Sequence, residues 1–289
     1  MYKISDLQNI KLNFHFSMFC NMRCKFCFYA PLIAKANYKN NLENWLRIIN
    51  KVDFFKAINF AGGEPTLFWD QLKEMAKLSK KINLDVTLIT NGSIILKKSQ
   101  DDVNDLLQYF DSVGISMDSI SDNINQESGR AINNRNSLSE KEYLEIAKKI
   151  KKAGCSLKIN SVVHSLNKES KMIDFINKVK PSKWKIMQVS SVGQESHKNF
   201  IITKKEFDNF LKINKLFEKT NFIKSIEDEE TIKSSYVMID GEGYFYNSDQ
   251  IYDKKNIKSL LEEKVVPIDE FNKCDFNILS QIERYKNEK

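Results

Sequence analysis

Apolar residues along this chain follow two alternating rhythms. Short runs rich in β-branched and aromatic side chains read as strands: Leu12 to Ser17, Ala57 to Phe60, Asp85 to Thr90, Ser112 to Met117, Ser156 to Val163 and Trp184 to Val189. Between them, Leu42, Trp45, Leu46 and Ile49 recur at the i, i+3, i+4, i+7 spacing of one buried helix face. Val103, Leu106, Leu107 and Phe110 repeat that spacing, as do Tyr143, Ile146, Ala147 and Ile150, and Met172, Phe175, Ile176 and Val179. Phe207, Phe210 and Leu211 mark the sixth helix. Strands joined through single helices pair in parallel, and right-handed crossovers curl such a sheet towards a barrel. Six units predict an α/β fold of the partial (βα)6 TIM-like kind rather than a closed barrel.

Beyond Asn221 the pattern changes. Ile226 to Glu230 reads as an exposed acidic segment, Tyr236 to Ile239 as a strand, and Asp240-Gly241-Glu242-Gly243 as a tight turn into Tyr244-Phe245-Tyr246. A hairpin there would close the open side or the mouth of the barrel. The expected organisation is therefore a barrel over residues 1–220 and an extension over 221–289 that caps it, with a frayed tail from Lys286.

Active sites of α/β barrels sit at the C-terminal ends of the strands, and candidate chemistry gathers at those positions. Cys20, Cys24 and Cys27 follow the first strand, Gly62-Gly63-Glu64-Pro65 the second and Asn91-Gly92-Ser93 the third; Ser116 and Asp118 end the fourth. Lys158 and Asn160 share one face of the fifth strand, and Lys183 and Lys185 one face of the sixth. Polar groups inside apolar strands are costly to bury without partners, so these residues point to a wet or ligand-filled cavity. The C-x3-C-x2-C spacing supplies three thiolates, which suits a 4Fe-4S cluster with one open iron. Completion by His15 into a Cys3His zinc site, or burial of three small hydrophobes, remain the other readings of the triplet.

Composition narrows the class. The chain has 289 residues with 45 Lys and Arg against 38 Asp and Glu, a net charge of +7. The basic residues are dispersed among acids, which argues against a nucleic-acid-binding stripe. No apolar run is long enough to cross a bilayer and no signal peptide opens the chain. Of five cysteines, Cys155 and Cys274 have no obvious partner. A reducing cytoplasm is the expected compartment.

Taken together, the motifs resemble the radical S-adenosylmethionine (SAM) enzymes, and within them the viperin-like family. The cysteine motif followed by Phe28, with the Gly-Gly-Glu-Pro turn, carries the first resemblance. Asn13-Phe14-His15-Phe16, Lys158-Ile159-Asn160-Ser161-Val162, Lys183-Trp184-Lys185 and Ser235-Tyr236-Val237-Met238-Ile239-Asp240 carry the second. The resemblance implies conversion of a ribonucleoside triphosphate to its 3′-deoxy-3′,4′-didehydro form, a chain terminator in antiviral, here anti-phage, defence. It implies a 4Fe-4S cluster on Cys20, Cys24 and Cys27, reduced by a donor such as a flavodoxin or ferredoxin. It implies SAM held by the Phe28 backbone, Gly62, Gly63, Glu64, Ser116, Arg130 and Asn160, with Arg130 on its carboxylate and the glycines allowing close approach. Asn13, Lys158, Lys183 and Lys185 match triphosphate-binding positions.

Three departures from animal viperins stand out: Ala61 in place of Ser, Lys183 in place of Arg, and Glu242 in place of a tyrosine near the base. CTP is the expected substrate, with UTP or GTP the alternatives. The barrel begins almost at Met1, so the amphipathic membrane helix of animal viperins is expected to be absent, as is their aromatic C-terminal ending. Other radical SAM reactions on phosphorylated or small substrates are the alternative reading. Peptide-modifying members, with extra C-terminal cysteines, fit less well.

Overall fold

The computed structural model describes residues 1–190, 195–232, 235–247 and 256–286. Among these residues nine strands form one sheet: β1 (Lys11–Ser17), β2 (Ala57–Gly62), β3 (Asp85–Thr90), β4 (Ser112–Ser116), β5 (Ser156–Val163), β6 (Lys183–Gln188), β7 (Ile223–Glu227), β8 (Val237–Asp240) and β9 (Phe245–Tyr246). Their order across the sheet is β7-β6-β5-β4-β3-β2-β1-β8-β9. Every neighbouring pair is parallel except β8 and β9. The six strands expected from sequence lie within one or two residues of the observed ones. β7 and the β8-β9 hairpin extend the same sheet at its two ends.

Six helices support the barrel: α1 (Leu42–Asn50), α2 (Trp69–Lys81), α3 (Gln100–Leu107), α4 (Glu140–Lys152), α5 (Ile173–Val179) and α6 (Lys204–Ile213). Three of them start at capping boxes that the sequence spells out: Ser99 with Asp102, Ser139 with Glu142 and Thr203 with Glu206. α2 is not among the helices expected from periodicity. Its buried face runs Leu72, Met75, Ala76 and Ser79, and the serine breaks the apolar rhythm. The Ser79 hydroxyl donates to the Met75 carbonyl at 2.8 Å, so the position is buried at no hydrogen-bonding cost. Phe110 lies beyond the end of α3, yet it is buried in the same core.

Strand alternation separates two environments. Leu12, Phe14, Ile58, Phe60, Val86, Leu88, Val113, Ile115, Leu157, Ile159, Trp184 and Ile186 join one apolar core with the helices. The opposite face carries polar residues in register: Asn13, Asn59 and Thr87 in one row, Gly114, Lys158 and Lys183 in another, and Ser116, Asn160 and Lys185 above it. In the first row Asn59 donates to Asn13 at 2.9 Å and Thr87 donates to Asn59 at 2.7 Å. Gly114 makes room for its neighbour, since a Cβ there would stand 2.8 Å from Asn160 Nδ2.

The expectation for residues 226–230 needs correction. Ile226 is 40% exposed, but Glu227 is buried at 1% because β7 pairs with β6 and turns that side chain towards Lys185. Of the expected frayed tail, residues 287–289 lie outside the described residues.

Trp184 is fully buried and its indole N–H donates to Ser161 Oγ at 3.0 Å. Trp184→Ala is expected to lower the unfolding free energy by about 3–5 kcal/mol. Phe217→Ala, at a side chain 71% exposed, is expected to change it by less than about 0.5 kcal/mol. Urea titration of both variants checks the contrast, and equal effects would contradict the packing described.

Candidate active site

Beyond β1 the chain crosses the C-terminal ends of the strands. There Cys20, Cys24 and Cys27 line one cavity of about 350 Å³ together with Phe28, Gly62, Gly63, Glu64, Ser116, Arg130 and Asn160. All ten residues expected to hold the cluster and SAM thus meet in one space.

Neighbouring loops fix the cysteine loop on three sides. The Gly63 amide donates to the Ser17 carbonyl at 2.8 Å and the Glu64 amide to the Phe19 carbonyl at 2.9 Å. On another side, the amides of Arg23 and Lys25 donate to the carbonyls of Gly129 and Ser128 at 3.2 and 2.8 Å. Asn21 joins the loop after β3, accepting from Asn91 Nδ2 and donating to Ser93 Oγ, both at 2.9 Å. The glycines serve these contacts between chain segments. A Cβ on Gly63 would meet the Phe19 carbonyl oxygen at 2.2 Å, and one on Gly129, whose φ is +79°, would meet that of Arg23 at 2.2 Å. Both Gly62 and Gly63 also line the cavity, where the resemblance places SAM.

Glu64 is buried at the centre of this arrangement. Its carboxylate accepts from the Thr66 amide at 3.0 Å, the Thr66 and Thr90 hydroxyls at 2.6 Å each, and the Asn91 amide at 2.7 Å. Burial raises its pKa, and these hydrogen bonds oppose the rise. Arg130 is buried too, with its Nε on the Asp118 carboxylate and its guanidinium 5.4 Å from the centre of the Phe26 ring. Asp118 also accepts from the Val162 amide at 2.8 Å, which ties β5 to this pair.

Burial pushes the Cys20 thiol up to about 12, with Glu64 and the other two thiols adding to the rise. Cys27 is likewise pushed up to about 12, by burial and then by Cys24. Cys24 shifts upwards through burial, opposed by Arg130. Three crowded thiols of this kind ionise together only when a cationic group supplies the countercharge. Among the described residues, no three His, Cys, Asp or Glu side chains are placed to hold one metal ion. His15 Nδ1 instead faces the hydroxyls of Tyr246 and Tyr29 at 2.6 and 2.7 Å, and burial lowers its pKa to about 3.

The expected substrate residues are distributed over three spaces. Asn13 and Lys185 reach the main cavity. They also line a smaller one, nearer the N-terminal ends of the strands, with Lys158 and Lys183. The lysines therefore extend below the barrel mouth. Glu242 borders a third space beside β1 and β8, which shares His15 with the main cavity. Lys185 contacts Glu227 Oε1 at 3.0 Å and the Tyr236 hydroxyl, which itself donates to Glu227.

A sequence model of the radical SAM superfamily matches residues 14–179. The S-adenosylmethionine-dependent nucleotide dehydratase of Flammeovirga pacifica is 32% identical, the match covering 86% of each chain. The enzyme of that name from Lacinutrix mariniflava is 37% identical over 82% of this chain, which spans half of that protein's length. The chain belongs to the radical SAM superfamily. Within it, the two relatives place the chain in the viperin-like nucleotide dehydratase family. Streptococcus suis SuiB bound to S-adenosylmethionine has the same fold, with a TM-score of 0.67 at 15% identity over 90% of this chain and 65% of that one.

Radical SAM membership implies a 4Fe-4S cluster and SAM, and the donor set fits both: three thiols on one loop, a cavity beside them, and a buried Arg130-Asp118 pair in its wall. Sequence reasoning overlooked the partners of the expected residues. Asp118 was placed at the end of β4 without its link to Arg130. Glu227 was overlooked because β7 inverts the usual pattern, exposing Ile223 and Ile226 while Ser225 and Glu227 are buried, and Tyr236 was named without its link to Glu227 and Lys185.

Gly63→Ala is expected to retain the helix and strand content while cluster loading falls at least about tenfold. Circular dichroism with iron and sulfide analysis after anaerobic reconstitution tests it; full loading would show that the close approach is dispensable. A second expectation concerns pH. Burial holds His15 near 3 and His164 near 4, both below the ordinary 6.5. The unfolded chain then binds protons that the native one refuses, so stability is present above pH 6.5 and falls as pH drops from there towards 4. Urea titrations at pH 7 and pH 5 measure the fall, and His164→Phe, which keeps an aromatic ring against Phe26, is expected to reduce it.

Proposed function

We propose that this chain removes water from the ribose of a nucleoside triphosphate, CTP first, to give the 3′-deoxy-3′,4′-didehydro nucleotide. The observation that carries the reading is the lysine set below the cysteine loop. Lys158, Lys183 and Lys185 occupy adjacent strands in register on the cavity side of the sheet. A triphosphate carries roughly four negative charges, and grouped ammonium ions inside a low-dielectric barrel suit it far better than they suit a peptide. The activity for which the relatives are named agrees with this reading.

In this reading Cys20, Cys24 and Cys27 hold the cluster, while Gly62, Gly63, Glu64, Ser116, Asn160, Arg130 and the Phe28 backbone hold SAM. Bound together, the cofactors supply a 5′-deoxyadenosyl radical able to take a hydrogen atom from C4′. The protein's task is placement and exclusion of water. The lysines draw the triphosphate down the barrel, so the ribose lies between them and the cysteine loop. Arg130 receives the SAM carboxylate while Asp118 keeps its guanidinium oriented. Lys185 must exchange Glu227 for phosphate. Glu242, beside the third space, is assigned to the base end. We place the enzyme in the cytoplasm with a flavodoxin or ferredoxin as reductant and its product as an anti-phage chain terminator. Phage challenge of cells carrying wild-type protein or a Cys20, Cys24, Cys27 triple alanine variant tests that role.

The deciding assay supplies anaerobic reconstituted protein with SAM, dithionite and each triphosphate in turn. One triphosphate is expected to stimulate 5′-deoxyadenosine formation and to yield a product lighter by one water. Each Lys→Ala change at 158, 183 or 185 is expected to raise the nucleotide KM about tenfold to a hundredfold, the cost of losing a charged hydrogen bond. SAM cleavage that no triphosphate stimulates would replace this reading with radical SAM chemistry on another small substrate.

A further inference from the structure

We infer that the outer face of the cysteine loop is the docking surface for an acidic one-electron carrier protein. The inference rests on radical SAM membership and not on the nucleotide assignment. Residues 22–26 alternate as a strand does: Met22 and Phe26 are buried and Cys24 lines the cavity, while Arg23 and Lys25 between them are exposed. Only the backbone of this loop therefore separates the cluster position from a molecule seated on Arg23 and Lys25.

The facing segment completes the surface. Met22 bridges to Ile132 and the Asn133 amide donates to the Asn21 carbonyl at 2.8 Å, which brings the turn at 132–136 alongside and presents an exposed Arg135. Neither 21–25 nor 128–136 contains a carboxylate. Arg130 in that segment is already committed to Asp118. The nearest acids in sequence are Glu127, exposed at one end, Glu140, which pairs with Lys178 at 2.8 Å, and Asp122, which accepts from Ser137 and Gln126. Arg23, Lys25 and Arg135 thus form a basic face on the loop that carries the cysteines. Such a face steers an acidic protein to one orientation and raises its rate of encounter. The step it serves moves one electron: the carrier is oxidised by one, the cluster position gains one, and no bond forms or breaks.

The test uses the reconstituted holoprotein and the Lys25→Glu, Arg135→Glu double variant, with a purified acidic flavodoxin as probe. Calorimetry is expected to show flavodoxin binding weakened at least about tenfold and a shallower dependence on salt. Cluster reduction by flavodoxin hydroquinone should slow in step. Iron content, SAM affinity and reduction by dithionite should stay at wild-type values. The milder Lys25→Gln, Arg135→Gln pair should show the same ordering with a smaller effect. Unchanged flavodoxin affinity in both variants, or no flavodoxin binding by the wild-type protein, would overturn the proposal. Loss of dithionite reduction alongside would assign the two residues to holding the loop, and would overturn it too.

Discussion

The two backbone hydrogen bonds from Gly63 and Glu64 to the carbonyls of Ser17 and Phe19 are the contact on which the rest of the site depends. They join the end of β2 to the stretch that leads into the cysteines, and they exist because Gly62 and Gly63 carry no Cβ. Glu64 then extends the junction to β3 through four donors on one buried carboxylate. A buried carboxylate is expensive unless satisfied in this way. Its cost is offset only when β2, β3 and the following turns are all in place, so the loop that carries the thiols is as firm as the sheet beneath it.

A second constraint is the unequal treatment of the two sheet faces. In closed α/β barrels the inner face is filled by layers of branched side chains. Here that face holds asparagine, threonine, serine and lysine in register, and most of the apolar core lies between the sheet and its helices. Stability and function are thereby assigned to opposite faces of the same strands. Lys183, Trp184 and Lys185 show this within three residues: the tryptophan anchors the core, and its two neighbours face the cavities.

Much of this was legible in the sequence because it rests on period and spacing. The strands from β1 to β6, five of the six helices and the β8-β9 hairpin follow from alternation and turn residues, and the cysteine and Gly-Gly-Glu motifs fall at strand ends as barrel geometry requires. What escaped depended on contacts between distant segments. Ser79 reads as a break in a helix until its hydroxyl is seen to return to the backbone. Glu227 reads as solvated because it begins an acidic run, and only the pairing of β7 with β6 turns it inward. Gly62 and Gly63 were recognised as necessary, but their close approach to the cysteine loop of the same chain was not foreseen.

The Lys185, Tyr236 and Glu227 triad gives the proposed phosphate site a threshold. A lysine already neutralised by a buried carboxylate offers little to chloride or a lone orthophosphate, whose few charges do not outweigh the partner they would displace. A polyanion that engages Lys158 and Lys183 at the same time brings enough charge to complete the exchange. On the proposed assignment, occupancy would discriminate by number of charges before any base is read.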